Sequence, residues 1–135
     1  MIKESDFKRK EFLPSEKAFV YKMELNIIKN QEEKKYGSAP KERVLFDRVA
    51  ARHGITRSVL HNYIKLTNLI PVFLDKLDAY AIPFLTAVQI AEMKSDEQEI
   101  LYNMGIMPTW EQAVKLSALS FAGRLTEEIM KSELT

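Results

Sequence analysis

Gly54 constrains this chain more than any other residue. It lies inside the stretch Val44 to Leu66, VLFDRVAARHGITRSVLHNYIKL, where the helical spacing of apolar residues stops and then restarts. Val44 to His53 reads as a helix, with Leu45, Phe46, Val49, Ala50 and His53 toward one side and Arg43, Asp47, Arg48 and Arg52 toward the other. A glycine at the next position can take the left-handed backbone conformation that ends one helix and lets the following one leave at a steep angle. Ile55 is then placed to plug the core. Thr56 suits the cap of a second helix, Arg57 to about Leu66, because its hydroxyl can accept from a free backbone N–H.

At about 100° per residue, Leu60, Tyr63, Ile64 and Thr67 gather on one face of this second helix, and Ser58, His61, Asn62 and Lys65 on the opposite one. Ala50, Gly54, Ile55, Leu60 and Tyr63 at these intervals predict a helix-turn-helix over 44–66, the small Ala50 letting the two helices cross closely. The outward face is polar, rich in donors and carries one long cation, as a helix lying in a DNA major groove requires. The plainer alternative is a helical hairpin whose outer face is merely solvated.

The rest of the chain reads as support. Its 135 residues, 46% of them hydrophobic, suffice for one compact domain with a real core. There is no apolar run long enough to span a bilayer, and MIKESDFKRK is not followed by an apolar stretch, so neither a membrane segment nor a secretory signal is expected. The absence of cysteine excludes disulfides and thiolate metal sites and fits a cytoplasmic protein. Net charge is only +1, but it is unevenly placed: residues 1–66 hold 15 Lys/Arg and 9 Asp/Glu, giving +6, and residues 67–135 hold 5 and 10, giving −5. The positive field therefore falls on the half that carries the motif.

Taken in order, residues 1–13 form a flexible lead-in in which Lys8 to Lys10 are candidate phosphate contacts, and 14–135 form a single all-helical domain. Pro14 fits the first turn of a helix running to about Asn30, with Ala18, Tyr21, Leu25 and Ile28 inward and Met23 and Ile27 widening the apolar stripe. Gln31 to Glu42 loses that periodicity and reads as a surface loop. Beyond the motif, 71–135 is helical support: Pro71 and Pro83 open helices to about Tyr80 and Lys94, Ser95 with Gln98 and Thr109 with Gln112 look like capping boxes, and Gly123 with Thr126 separates a last short helix. Phe73, Leu74, Leu77, Phe84, Leu85, Val88, Ile90, Met93, Leu101, Met104, Trp110 and Leu116 recur at helical spacing and are the expected core. The fold class is all-α, a compact multi-helix domain.

Catalytic chemistry is not expected. Neither a phosphate-binding G-x-x-x-x-G-K-[ST] nor a G-x-G-x-x-G occurs, and His53 and His61, the two histidines, fall on opposite sides of the motif, so no shared metal and no cofactor is predicted. Glu32-Glu33 and Glu127-Glu128 sit where acidic residues are ordinary.

Gly54-Ile55-Thr56-Arg57-Ser58, followed by Asn62, Ile64, Lys65 and Leu66, resembles the helix-turn-helix of the ParB and KorB family of bacterial partition proteins. The resemblance continues upstream in Phe12-Leu13-Pro14-Ser15-Glu16-Lys17-Ala18 with Tyr21. Downstream it includes Leu69-Ile70-Pro71, Ala81-Ile82-Pro83 with Ala87, Glu97-Gln98, and Thr109 with Gln112-Ala113, so it covers about residues 7–117. It implies a central domain that binds a short palindromic, centromere-like site on double-stranded DNA during partition of a plasmid, chromosome or mobile element. By position, Thr56, Arg57, Ser58, His61, Asn62 and Lys65 become the DNA-facing set, and Arg43, Arg48 and Arg52 on the outer side of the first helix join it.

The chemistry of these residues agrees with that role. Arg57 suits guanine O6/N7 or a phosphate, Asn62 adenine, Thr56 and Ser58 phosphates and close approach, and Lys65 a phosphate at the helix end. Two departures stand out. Phe46 occupies a place where many members have a glutamine that bonds the DNA backbone, and neither the family's arginine-rich N-terminal nucleotide-binding domain nor its C-terminal dimerisation domain is expected here, so the chain reads as an excised central domain or a reduced relative. Expected partners are double-stranded DNA, a second copy at least when on DNA, and a partition ATPase through parts outside this chain, at the bacterial nucleoid or a plasmid. Transcriptional repression from a plasmid or transposon, and a helical protein adaptor without nucleic acid, are the alternative functions.

Overall fold

The computed structural model describes residues 12–135; the Lys8 to Lys10 contacts expected in the lead-in lie outside them. Among the described residues there are eight α-helices and no strand, as the all-α expectation requires: α1 (Pro14–Tyr36), α2 (Glu42–Arg52), α3 (Arg57–Leu66), α4 (Pro71–Asp78), α5 (Phe84–Ala91), α6 (Ser95–Met104), α7 (Trp110–Phe121) and α8 (Glu127–Leu134). Where the sequence leads one to expect a single domain over 14–135, the chain divides into two compact units between Ile64 and Lys65, inside α3. No glycine, proline or polar run marks that point, because it lies within a helix.

In the first unit, α1 packs on α2. Tyr21 and Leu25 of α1, Leu45, Phe46, Val49 and Ala50 of α2 and Leu60 of α3 form its core, with Ile28, Ile55, Tyr63 and Ile64 packed against it. Two expectations about α1 need correction. It runs on to Tyr36, so the expected loop of about a dozen residues shrinks to the link before α2. Gln31 to Lys35 supply no apolar signal, yet glutamate, glutamine and lysine are good helix formers. The helix ends only where Gly37 takes φ 79° and gives its N–H to the Glu33 carbonyl at 2.8 Å. Met23 and Ile27 do not widen the packed stripe either; with Phe19 they lie on the exposed side of α1, away from Ala18, Tyr21 and Leu25.

In the second unit, α5 packs on α7 and α4, and α8 on α6 and α7. Phe73, Leu77, Val88, Ile90, Met93, Leu101 and Leu116 are buried as expected, together with Met130 and Leu134 of α8. Leu85 and Trp110 are not core. Leu85 lies on the side of α5 left over once Thr86, Ala87, Val88, Ile90 and Ala91 are covered, and Trp110 is the first residue of α7.

Thr109 caps α7 through the expected reciprocal pair with Gln112, at 2.9 and 3.2 Å, and Thr126 caps α8 through the Ile129 N–H. The box expected from Ser95 and Gln98 is displaced by one residue: Glu97 accepts from the Lys94 N–H at 2.8 Å and from the Ser120 hydroxyl. Gln98, fully buried, accepts from the Ile70 N–H at 2.9 Å and donates to the carbonyls of Asn68 (3.1 Å) and Met93 (3.0 Å). It thereby pairs backbone groups that no helix satisfies in the 68–70 link and at the end of α5.

Beyond α4, Tyr80 sits at φ 57°, where glycine is usual; its N–H reaches the Leu77 carbonyl, and the Ala81 N–H reaches the Lys76 carbonyl at 2.8 Å. The side chain is 77% exposed, so packing does not offset the backbone strain. Tyr80→Gly is therefore expected to stabilise by about 0.5–1 kcal/mol, the left-handed penalty less glycine's extra unfolded-state entropy, read as a higher urea midpoint. An unchanged or lower midpoint would show that the ring contributes more than its exposure suggests.

Candidate nucleic-acid interface

The connection between α2 and α3 follows the local rules its residues impose. Gly54 adopts φ 66°, and the Ile55 N–H returns to the Ala50 carbonyl at 3.1 Å, tying the link back onto α2. The Thr56 hydroxyl accepts from the Val59 N–H at 3.1 Å, which starts α3 where the sequence placed it. Ala50 and Leu60 are buried in the same core cluster.

Each expected site residue can now be placed. Thr56 and Ser58 are exposed at the start of α3, and His61 and Asn62 are half-buried one turn on. Arg57 lies 3.3 Å from the Asp47 carboxylate of α2, with its own side chain 38% exposed and Asp47 more so. Lys65, at the far end of α3, pairs with Glu92 at 2.9 Å, both groups substantially exposed. Exposed pairs of this kind contribute roughly 0.2–1 kcal/mol each and are readily exchanged for another anion. Arg43 is exposed near the start of α2.

Arg48 and Arg52 are engaged differently. Both reach back to α1, Arg48 to Glu32 and Arg52 to Glu24 at 2.7 Å, and the two glutamates are the more buried partners. The Arg52 contact is an ion pair without a directed hydrogen bond, because Glu24 Oε1 has no hydrogen-bond partner. Glu24 Oε2 lies 2.6 Å from His53 Nε2, so one carboxylate gathers both residues at the end of α2. Tyr21 stands beside them, its ring 4.8 Å from His53 and 5.2 Å from Tyr63. Burial, then the charges of Tyr63 and Glu24, hold the Tyr21 phenol above its ordinary range. These contacts fasten α1 to α2 and so steady the base on which α3 rests.

His61 does not simply face outward. Its ring lies nearly parallel to that of Phe46, with centroids 4.1 Å apart at 16°, so one ring face is occupied and its edge carries whatever hydrogen bonding it does. Phe46 is itself buried, which gives a physical account of an apolar residue at that position: it forms the platform under His61. Asp47, Glu24 and Phe46 are the contributors that sequence reasoning missed. Their partners are ten, 28 or 29, and 15 positions away, and no local pattern carries such pairings.

Among the described residues there is no cluster of acidic or histidine side chains that could hold a metal ion, and no helix is long and apolar enough to cross a membrane. No family model matches the chain, and neither curated proteins nor solved structures give a match.

Proposed function

We propose that this chain binds double-stranded DNA in a sequence-specific way, reading a short palindromic site in the partition of a plasmid, chromosome or mobile element. The observation that carries the proposal is the accessible edge of α3: Thr56 and Ser58 are exposed, and Arg57 pairs with an exposed carboxylate on a glycine-hinged pair of helices whose other face is core. Donors at the start of a helix, at the depth of one side chain, suit base edges and phosphates in a major groove. The lopsided charge supplies long-range attraction on the same half. Partition, rather than another use of DNA binding, rests on the resemblance to ParB and KorB proteins set out above. In this scheme Arg57 and Asn62 read bases, Thr56, Ser58 and Lys65 contact the backbone, and Arg43 adds charge; Arg48 and Arg52 act mainly through α1.

Selection of bound sequences from a random duplex pool, followed by fluorescence anisotropy, tests this directly. A selected palindrome should bind at least about 10³-fold tighter than its scrambled form at physiological salt. Equal affinity for the two overturns the proposal. Lys65→Ala should weaken both duplexes alike and reduce the salt slope by about 0.9, the signature of one lost phosphate contact.

A further inference from the structure

We propose that the cavity between α1, the link after it and α2 is a binding site for a small carboxylic acid with a hydrocarbon body, held as its carboxylate. The cavity measures about 410 Å³, within the range of small-molecule sites, and lies wholly inside the first unit. Its apolar wall is made by Leu25 of α1, Leu45 and Phe46 of α2 and Ile64 of α3. The first three belong to the core, yet each leaves part of its surface on the cavity. Ala39 and Pro40 close one side, where the chain turns back from α1 to α2.

The polar rim selects the charge of the occupant. Lys22, Asn26 and Lys29 line the cavity from one face of α1, at i, i+4 and i+7. The two lysines are anchored about 10 Å apart along the helix axis, with the Asn26 amide between them. Both are exposed, and neither has an ion-pair partner among the described residues. Their long stems can lie over the apolar wall and bring the ammonium groups to the mouth. Glu42, in the first turn of α2, is on the rim as well. Two cations and one anion leave a single positive charge, which matches one carboxylate and disfavours an amine or a doubly charged phosphate ester. A carboxylate has room to accept from an ammonium and an amide N–H at once, while its hydrocarbon body covers Leu25, Leu45, Phe46 and Ile64.

The cavity is half open to solvent, so affinity is modest. An eight-carbon acid has about ten non-hydrogen atoms and should bind on the order of 1 mM. Phe46 also carries His61 stacked on its ring at 4.1 Å, and Ile64 follows about one turn further along α3 on its packed side. The occupant therefore bears on α3 from beneath. Its binding does not rest on the proposed reading of DNA.

Titration of the isotope-labelled full-length protein with octanoate, followed in amide NMR spectra without DNA, tests the site. Signals of Leu25, Asn26, Leu45, Phe46 and Ile64 should move together and saturate with one dissociation constant, while those of α6, α7 and α8 stay in place. Octanol should bind at least about fivefold more weakly, and octylammonium should leave these signals unmoved. The double variant Lys22→Gln, Lys29→Gln should weaken octanoate by at least about tenfold and leave octanol unaffected. Its helix content and melting midpoint should stay those of the parent, since both side chains are exposed. Glu42→Gln should strengthen octanoate by about two- to threefold, because it removes the one negative charge on the rim. No saturable shift at about 10 mM octanoate, shifts spread over both units, binding of octylammonium as tight as that of octanoate, or unchanged octanoate affinity in the double variant each overturns the proposal. If octanoate binds here and no duplex is preferred, the site stands and DNA recognition falls; a preferred palindrome without octanoate binding leaves DNA recognition standing and removes the site.

Discussion

Arg57→Ala will weaken binding to the selected palindrome by about 1–3 kcal/mol, roughly 5- to 150-fold, and will relax preference at the base the guanidinium reads. The size is the one expected of the proposed bidentate contact to guanine, which neither water nor a neighbouring side chain would replace. Asp47 gives the prediction its internal control. In the free protein its carboxylate holds Arg57 at 3.3 Å, so Asp47→Ala removes both a competitor and a negative charge beside the α2–α3 link. Affinity should rise a few-fold, and most of that gain should vanish when Arg57 is already alanine, since neighbours sharing a contact are not additive. Anisotropy titrations of the two single variants and the double variant check all of this. An Arg57→Ala protein with parental affinity and base preference shows that α3 does not read the duplex through this edge.

Gln98→Ala will destabilise the second unit by about 3 kcal/mol. The amide satisfies the Ile70 N–H and the carbonyls of Asn68 and Met93, and truncation leaves these groups unpaired beside a new cavity. For a unit of this size the expected fall in melting temperature is on the order of 15 °C. Gln98→Met separates the two contributions: it refills the volume but not the bonds, and should recover only a small part of the loss. A Gln98→Met protein that melts with the parent would assign the stability to packing alone.

What the chain discloses in advance is mostly what neighbouring residues impose on one another. Gly54, Thr56, the Thr109–Gln112 box and the prolines at the starts of α1 and α4 act within a few positions, and each helix they delimit begins within about two residues of its expected place. The end of α1 was hidden because Gln31 to Lys35 are helical without being amphipathic. The α6 cap was ambiguous because two pairs three apart, Lys94–Glu97 and Ser95–Gln98, overlap; the bonds Gln98 makes 28 and 30 positions away chose between them. The edge of α3 was legible from its spacing. Its surroundings were not: the tethers Glu24–Arg52 and Glu32–Arg48 and the Phe46–His61 stack arise only when distant segments meet.

The division inside α3 bears on how this protein opens. Lys65 and Leu66 belong to the second unit, whereas the first turns of the same helix are seated through Leu60 in the core that holds Val49 and Ala50. Transient unfolding of residues beyond 65 should therefore fray α3 from its C-terminal end and release the Lys65 ammonium from Glu92, while the Arg57–Leu60 turn keeps its amides protected from solvent exchange. In the proposed complex the phosphate contact of Lys65 and the base contact of Arg57 would then be lost at different free energies.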